Sequence, residues 1–205
     1  MRLYRAPFST NVERVALALA HKGIEVESVW IEYGDRSPVE RVSGQPLVPV
    51  LEFDDGSVVS DSMQIVRVLE ERFPQAPLYP ADAAGRARVI RFVDWFNDVW
   101  KVAPNAIEAE IGRERPDVER IDELAGEMKA ALTRFDEMLE GHEYLLGPEF
   151  SAADCAAYPF LKYAVWRDPA DDELFHRVLD GYQQLGDDHP RLAAWIARVD
   201  ERPQV

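Results

Sequence analysis

The stretch APFSTNVERV, residues 6–15, puts Ser9 and Thr10 directly before a run in which Val12, Val15, Ala16 and Leu19 recur at helical spacing. Either hydroxyl can cap a helix, because a side-chain oxygen accepts from an unpaired N–H of the first turn. Thr10-Asn11-Val12-Glu13 fits the capping box, with Glu13 reaching back to the cap. With Thr10 as the cap, Ser9 stands just outside the helix and its hydroxyl points across the positive end of the dipole, where an anion is stabilised. On local grounds a catalytic hydroxyl and a plain helix start both stand. Cys155 is the one cysteine, which excludes an intrachain disulfide, a CxxC redox pair and a cysteine-based metal site. Among alanines and aromatic residues, it reads as a buried small hydrophobe rather than a nucleophile. His21, His142, His176 and His189 are too scattered to suggest a metal cluster.

Such residues need a scaffold, and 205 residues, 47% of them hydrophobic, can bury the core of one large domain or two small ones. A net charge of −15 argues against unspecific binding to nucleic acid or anionic lipid, both of which need basic surface. A small molecule or another protein is the expected partner. No apolar run approaches the roughly 20 residues of a membrane span, and Met1-Arg2-Leu3-Tyr4 lacks the apolar stretch of a signal peptide. A cytoplasmic location is the expectation. The acidity is uneven, −4 over residues 1–77 and −11 over 78–205, which suggests a two-part chain.

In the first part a short strand, Arg2 to Tyr4, leads to a helix from about Asn11 to Lys22, closed by His21, Lys22 and Gly23. Ile24 to Ile31 suits a strand, and a polar stretch runs from Tyr33 to Pro46. Val50 to Phe53 and Val58 to Ser60 are short strands joined by the turn Asp54-Asp55-Gly56. A capped helix starts near Ser62, with Ile65, Val66, Leu69 and Phe73 on one face. Three prolines between Pro74 and Pro80 make a stiff connection. The remainder reads as helices at about Ala84 to Val102, Ile121 to Leu139, Ser151 to Trp166, Leu174 to Leu185 and Pro190 to Glu201, with an exposed connection at Gly112 to Pro116.

An α/β unit of this size, a proline-rich linker and an all-helical second half together resemble the cytosolic glutathione transferase superfamily. The motifs are FSTNVERVALALAHKGI, LVPVL, SDSMQIVRVLEERFP, YLLGPEFSAADCAAYPFL and HPRLAAWIARVDERPQV, in order along the full length. The resemblance implies a thioredoxin-like α/β domain over 1–77, a linker over 78–83 and an all-α domain over 84–205. It implies glutathione, or another low-molecular-weight thiol in its place, as co-substrate, an apolar electrophile, a homodimer and no metal. Ser9, five residues before Arg14, falls at the position of the family's catalytic Ser or Cys, where it stabilises a thiolate without becoming covalently bound. Thr10, Asn11 or Tyr4 takes that role if the register differs by one position. Pro49 matches the family's cis proline; a cis Val48-Pro49 turns the Val48 N–H and C=O away from the core to pair with a bound tripeptide like an added strand. The alternative is a trans proline before an edge strand.

Ser62 caps its helix, and its hydroxyl with the exposed N–H groups suits a carboxylate, while Asp61 suits an α-ammonium group. The alternative is a capped helix with a solvated Asp. Ser151 and Asp154 form a structural capping box with Phe150 in a staple contact. Trp95, Phe96, Trp100, Tyr163 and Trp166 are mainly core aromatics, with Trp95 and Trp100, together with Phe8, the candidates to face a cleft as the acceptor site. Before the Val-Pro pair the chain reads Ser43-Gly44-Gln45-Pro46-Leu47, where the family commonly has Asn-Pro, Gly and a polar residue; Leu47 cannot donate a side-chain bond to the tripeptide's glycine end. Besides a transferase, the same fold serves non-catalytic ligand-binding or scaffold proteins and thiol-dependent reductases, isomerases and dehalogenases. A serine at position 9 argues against the covalent mixed disulfide of a reductase.

Overall fold

In the computed structural model residues 1–32 and 34–205 are described; Tyr33, where the polar stretch begins, lies outside the described residues. The chain divides into two units, residues 1–80 with 202–205, and residues 81–201. The last four residues, expected with the helical half, thus group with the first unit.

The first unit runs β1 (Arg2–Arg5), α1 (Thr10–His21), β2 (Glu27–Trp30), α2 (Ser37–Ser43), β3 (Val50–Glu52), β4 (Val58–Ser60) and α3 (Ser62–Arg72). The sheet order is β2-β1-β3-β4, with β1 parallel to β2 and β3 antiparallel to both neighbours. Period-two alternation sends Leu3 and its partner Leu51 to one face and Tyr4 and its partner Val50 to the other. All four are buried, so the central strands are covered on both sides. Tyr4 and Val50 pack with Ile31 and with Val39 of α2. Helices α1 and α3 pack against each other, burying Val15, Leu19, Ile65, Val66 and Leu69. The short helix α2 corrects the reading of 33–46 as plain polar chain: Pro38 sits in its first turn, Val39 is fully buried, and Gly44 closes it at φ 75° with its N–H on Glu40 O.

At the far end of α1, the Lys22 side chain is fully buried, with Nζ on Glu70 Oε2 at 2.7 Å and on the carbonyls of Phe73, Gln75 and Ala76 at 2.9, 3.3 and 3.1 Å. One ammonium group therefore anchors the proline-rich segment. Residues 202–205 run back along α1: Arg202 Nη2 meets His21 Nδ1 at 2.8 Å, Gln204 meets Glu13 at 3.3 Å, and Arg5 donates to Val205 O at 2.7 Å.

The second unit is helical: α4 (Ala83–Trp95), α5 (Val102–Ile111), α6 (Val118–Met138), α7 (Ala152–Leu161), α8 (Leu174–Tyr182) and α9 (Pro190–Asp200). The single helix expected over 84–102 instead ends at Trp95, passes through a π-helical turn at Phe96–Trp100, and gives way to α5, which was not foreseen. Pro104 has no N–H to offer the Trp100 carbonyl, and Lys101 N–H bonds Phe96 O instead. The capping box of Ser151 and Asp154 is formed at the start of α7. Asp154 is fully buried and also accepts from Leu145 N–H at 3.0 Å and Trp195 Nε1 at 2.9 Å. Cys155 is fully buried and Phe96, Trp100 and Tyr163 are core, but Trp166, expected there, is 60% exposed: α7 stops at Leu161 and the chain leaves the bundle through a 3-10 turn.

Candidate functional site

One end of the sheet gathers the candidate residues. Tyr4, Val50 and Ser60 form one rung across β1, β3 and β4. Beyond that rung, β1 leads on to Ser9, β3 is entered from Val48 and Pro49, and β4 leads straight into Asp61 and Ser62. Strand direction alone therefore brings three separated sequence motifs to the same edge.

Ser9, not Thr10, is the cap of α1. Its Oγ accepts from Val12 N–H at 3.3 Å and its carbonyl from Glu13 N–H at 3.0 Å. Thr10 is the first helical residue and is 95% buried, so the box from Thr10 to Glu13 is not what starts the helix. Since Ser9 Oγ uses a lone pair for the cap, its own proton remains to be donated outward. The first-turn N–H groups of Thr10 and Asn11 have no hydrogen-bond partner among the described residues. A half-buried hydroxyl and two free N–H groups converge at a positive helix end, an arrangement that favours an anion. Phe8, the residue before, holds φ 57° and is 40% exposed.

The Val48–Pro49 bond is cis. Pro49 is buried, and Val48 is half-buried against the Tyr4 cluster. Neither backbone polar group of Val48 is hydrogen-bonded among the described residues.

At α3 the expected roles of the pair are exchanged. Asp61 is the cap, with φ 72°, and its Oδ1 accepts from Met63 N–H at 3.0 Å and Gln64 N–H at 2.9 Å, while its carbonyl takes Ile65 N–H. Of the first four N–H groups only that of Ser62 is left without a partner among the described residues. Asp61 is exposed and its Oδ2 is uncommitted. Ser62 is 97% buried, and its Oγ accepts from Arg14 Nη1 at 3.4 Å. That buried arginine ties the second turn of α1 to the start of α3. In the sequence Arg14 falls on the face opposite the stripe of Val12, Val15, Ala16 and Leu19, so helical periodicity carries no signal of its burial.

Of the residues assigned to an acceptor site, Trp95 and Trp100 line a pocket of about 330 Å³ within the helical unit, together with Ala103, Met128 and Arg134. Arg134 stacks its guanidinium over Trp95 at 4.7 Å, and Trp100 stacks on Phe96 at 4.5 Å. Phe8 belongs to the first unit.

Comparison with known proteins follows the same division. The family model of the glutathione S-transferase N-terminal domain matches residues 3–77, and that of the C-terminal domain matches residues 118–198. The chain is 28% identical over 205 residues to glutathione S-transferase GstB of Escherichia coli K12, covering 96% of this chain and 91% of that protein. It is 30% identical over 198 residues to glutathione S-transferase 1 of Dianthus caryophyllus, covering 89% and 86%. A crystal structure of a glutathione S-transferase from Methylobacillus flagellatus KT with GSH bound superposes with a TM-score of 0.75 at 27% identity, covering 98% of this chain and 95% of that one. With both domain models matched in order and relatives aligned along nearly the whole length, the chain belongs to the cytosolic glutathione S-transferase superfamily.

Proposed function

We propose that the first unit binds a γ-glutamyl thiol, in the first instance glutathione, and that Ser9 holds its sulfur as the thiolate for transfer to an apolar electrophile. The observation that carries this reading is the Ser9 hydroxyl, which caps α1 through its oxygen and so keeps its proton for an outside acceptor. A free thiol with a pKa near 8.5 is mostly protonated at neutral pH. Hydrogen-bond donation from Ser9, with the Thr10 and Asn11 N–H groups behind it, favours the charged form. Each unit of lowering corresponds to about 1.4 kcal/mol. Ser9 forms no covalent bond to the sulfur; the thiol proton goes to solvent, and as the sulfur–carbon bond forms the electrophile either releases its leaving group with the bonding pair or opens a polarised double bond that takes up a proton from solvent.

The remaining groups match the rest of such a thiol. Asp61 Oδ2 pairs with the α-ammonium group, Ser62 N–H with the neighbouring carboxylate, and the Val48 N–H and C=O with the cysteinyl backbone as a single added strand rung. Phe8 is assigned to the electrophile on the first unit; Trp95 and Trp100 line the separate pocket of the helical unit, which suits an apolar group. A homodimer belongs to the same reading, as does use of glutathione, which the Methylobacillus relative binds.

The test is a calorimetric titration of glutathione into the wild type and Ser9→Ala, with thiolate absorbance followed across neutral pH. Because Ser9→Ala also removes a cap worth about 1 kcal/mol, Ser9→Asp serves beside it: it keeps a cap acceptor and offers no proton. The expected result is a lowered thiol pKa in the wild type that returns towards the free value in both variants. An unchanged thiol pKa in Ser9→Asp removes Ser9 from the chemistry.

A further inference from the structure

We infer that the first unit recognises only the γ-glutamylcysteinyl part of its thiol, and that whatever follows the cysteinyl carbonyl rests on the exposed side chain of Leu47 without being bonded. The inference rests on the proposed binding of a γ-glutamyl thiol and goes on to set which thiols qualify.

Strand register fixes the direction of such a ligand. Asp61 follows Ser60, which pairs with Val50, and Val50 follows Pro49. The amino-acid end held at Asp61 therefore lies on the Pro49 side of Val48. A cysteinyl residue paired with Val48 then runs antiparallel to residues 47–49, and its successor falls opposite Leu47.

At Leu47 the ladder stops. Leu47 N–H donates to Gln45 Oε1 at 2.6 Å, and Leu47 O accepts from Gln45 Nε2 at 2.9 Å, so one side-chain amide already occupies both backbone groups. Gln45 Nε2 places its other hydrogen on Ser43 Oγ at 3.1 Å, and Gln45 N–H bonds Ser43 Oγ at 3.4 Å. Pro46 has no N–H to give. Residues 45–47 thus present no uncommitted backbone donor to a carboxylate. What they present is Leu47, 71% exposed and fixed from below by its clamped backbone. The neighbouring cation on α2, Arg41, has Nη1 on Ser37 Oγ at 3.2 Å. An apolar side chain on a braced loop discriminates weakly among neutral and apolar groups and provides no counter-charge for an anionic one.

The experiment compares three probes by calorimetry on the full chain: glutathione, its glycyl ethyl ester, and γ-glutamylcysteine. Dissociation constants within about threefold of one another are expected, with the ester at least as tight as the acid. Leu47→Lys, a surface change that leaves the core untouched, is expected to tighten glutathione about tenfold while leaving the ester unchanged. Binding of glutathione with an ester tenfold weaker overturns the inference alone, and the same loss in Arg41→Ala identifies the group that reads the carboxylate instead. Absence of binding by all three probes overturns the inference together with the proposed function.

Discussion

Asp61 combines two demands in one side chain. Its φ of 72° lies in the left-handed region, which costs a non-glycine residue about 1–3 kcal/mol unless its surroundings compensate. The two bonds from Met63 and Gln64 N–H supply that compensation through Oδ1. Asp61→Asn keeps the cap and tolerates positive φ, but removes the charge offered to an ammonium group. Calorimetry is expected to show glutathione binding at least tenfold weaker with the melting temperature nearly unchanged, in keeping with the roughly 1.5–3 kcal/mol of a charged hydrogen bond. Asp61→Ala is expected to lose about 1 kcal/mol of stability as well. Equal affinity in the wild type and Asp61→Asn sinks the assignment. The sequence marked Asp61-Ser62 and Ser9-Thr10 as the right pairs and mistook the cap in each by one residue. Ser, Thr and Asp are near-equal caps by propensity, so tertiary burial decides between them: Thr10 and Ser62 turn inward, leaving Ser9 and Asp61 outside.

Among elements, the start of α7 shows why local motifs travel well from sequence to structure. Ser151 and Asp154 are three residues apart, and their capping box needs only local geometry. The further bonds of Asp154 to Leu145 N–H and Trp195 Nε1 join distant segments and have no local signature. Burial pushes the Asp154 carboxyl above its usual range, against the pull of these donors. Asp154→Ala leaves several buried donors unpaired at about 1–3 kcal/mol each, so urea denaturation is expected to show a loss of about 3 kcal/mol or more. Asp154→Asn retains an acceptor oxygen and is expected to lose less; equal losses in the two would assign the role to charge. The α2 helix was illegible for the converse reason. Seven residues with one fully buried side chain, Val39, carry too little periodicity to stand out from a polar loop. The break after Trp95 has no signature in the sequence because Phe92, Phe96 and Trp100 keep helical spacing across the π-helical turn.

For the molecule as a whole, pH dependence near neutrality points to the far end of α1. Burial lowers the affinity of His21 for a proton, and the Arg202 guanidinium beside it lowers it further. The unfolded chain therefore binds a proton at His21 more readily than the folded one. This contribution is fully present above the unfolded value of about 6.5 and is lost as pH falls below it. Denaturation midpoints are expected to drop between about pH 7.5 and pH 5.5, and His21→Gln is expected to flatten that drop. The same slope in His21→Gln and the wild type would place the titration elsewhere.

The grouping of residues 202–205 with residues 1–80 gives the chain a nested topology: the helical segment 81–201 is connected at both of its ends to the same compact unit. A gene fragment cut after Pro80 consequently encodes an incomplete body, without the guanidinium that faces His21 or the carbonyl that Arg5 grips. Closing such a connection costs entropy that grows only with the logarithm of its length. Lengthening a surface loop of the helical segment should therefore cost the first unit very little, whereas cutting off the last four residues removes part of its own packing.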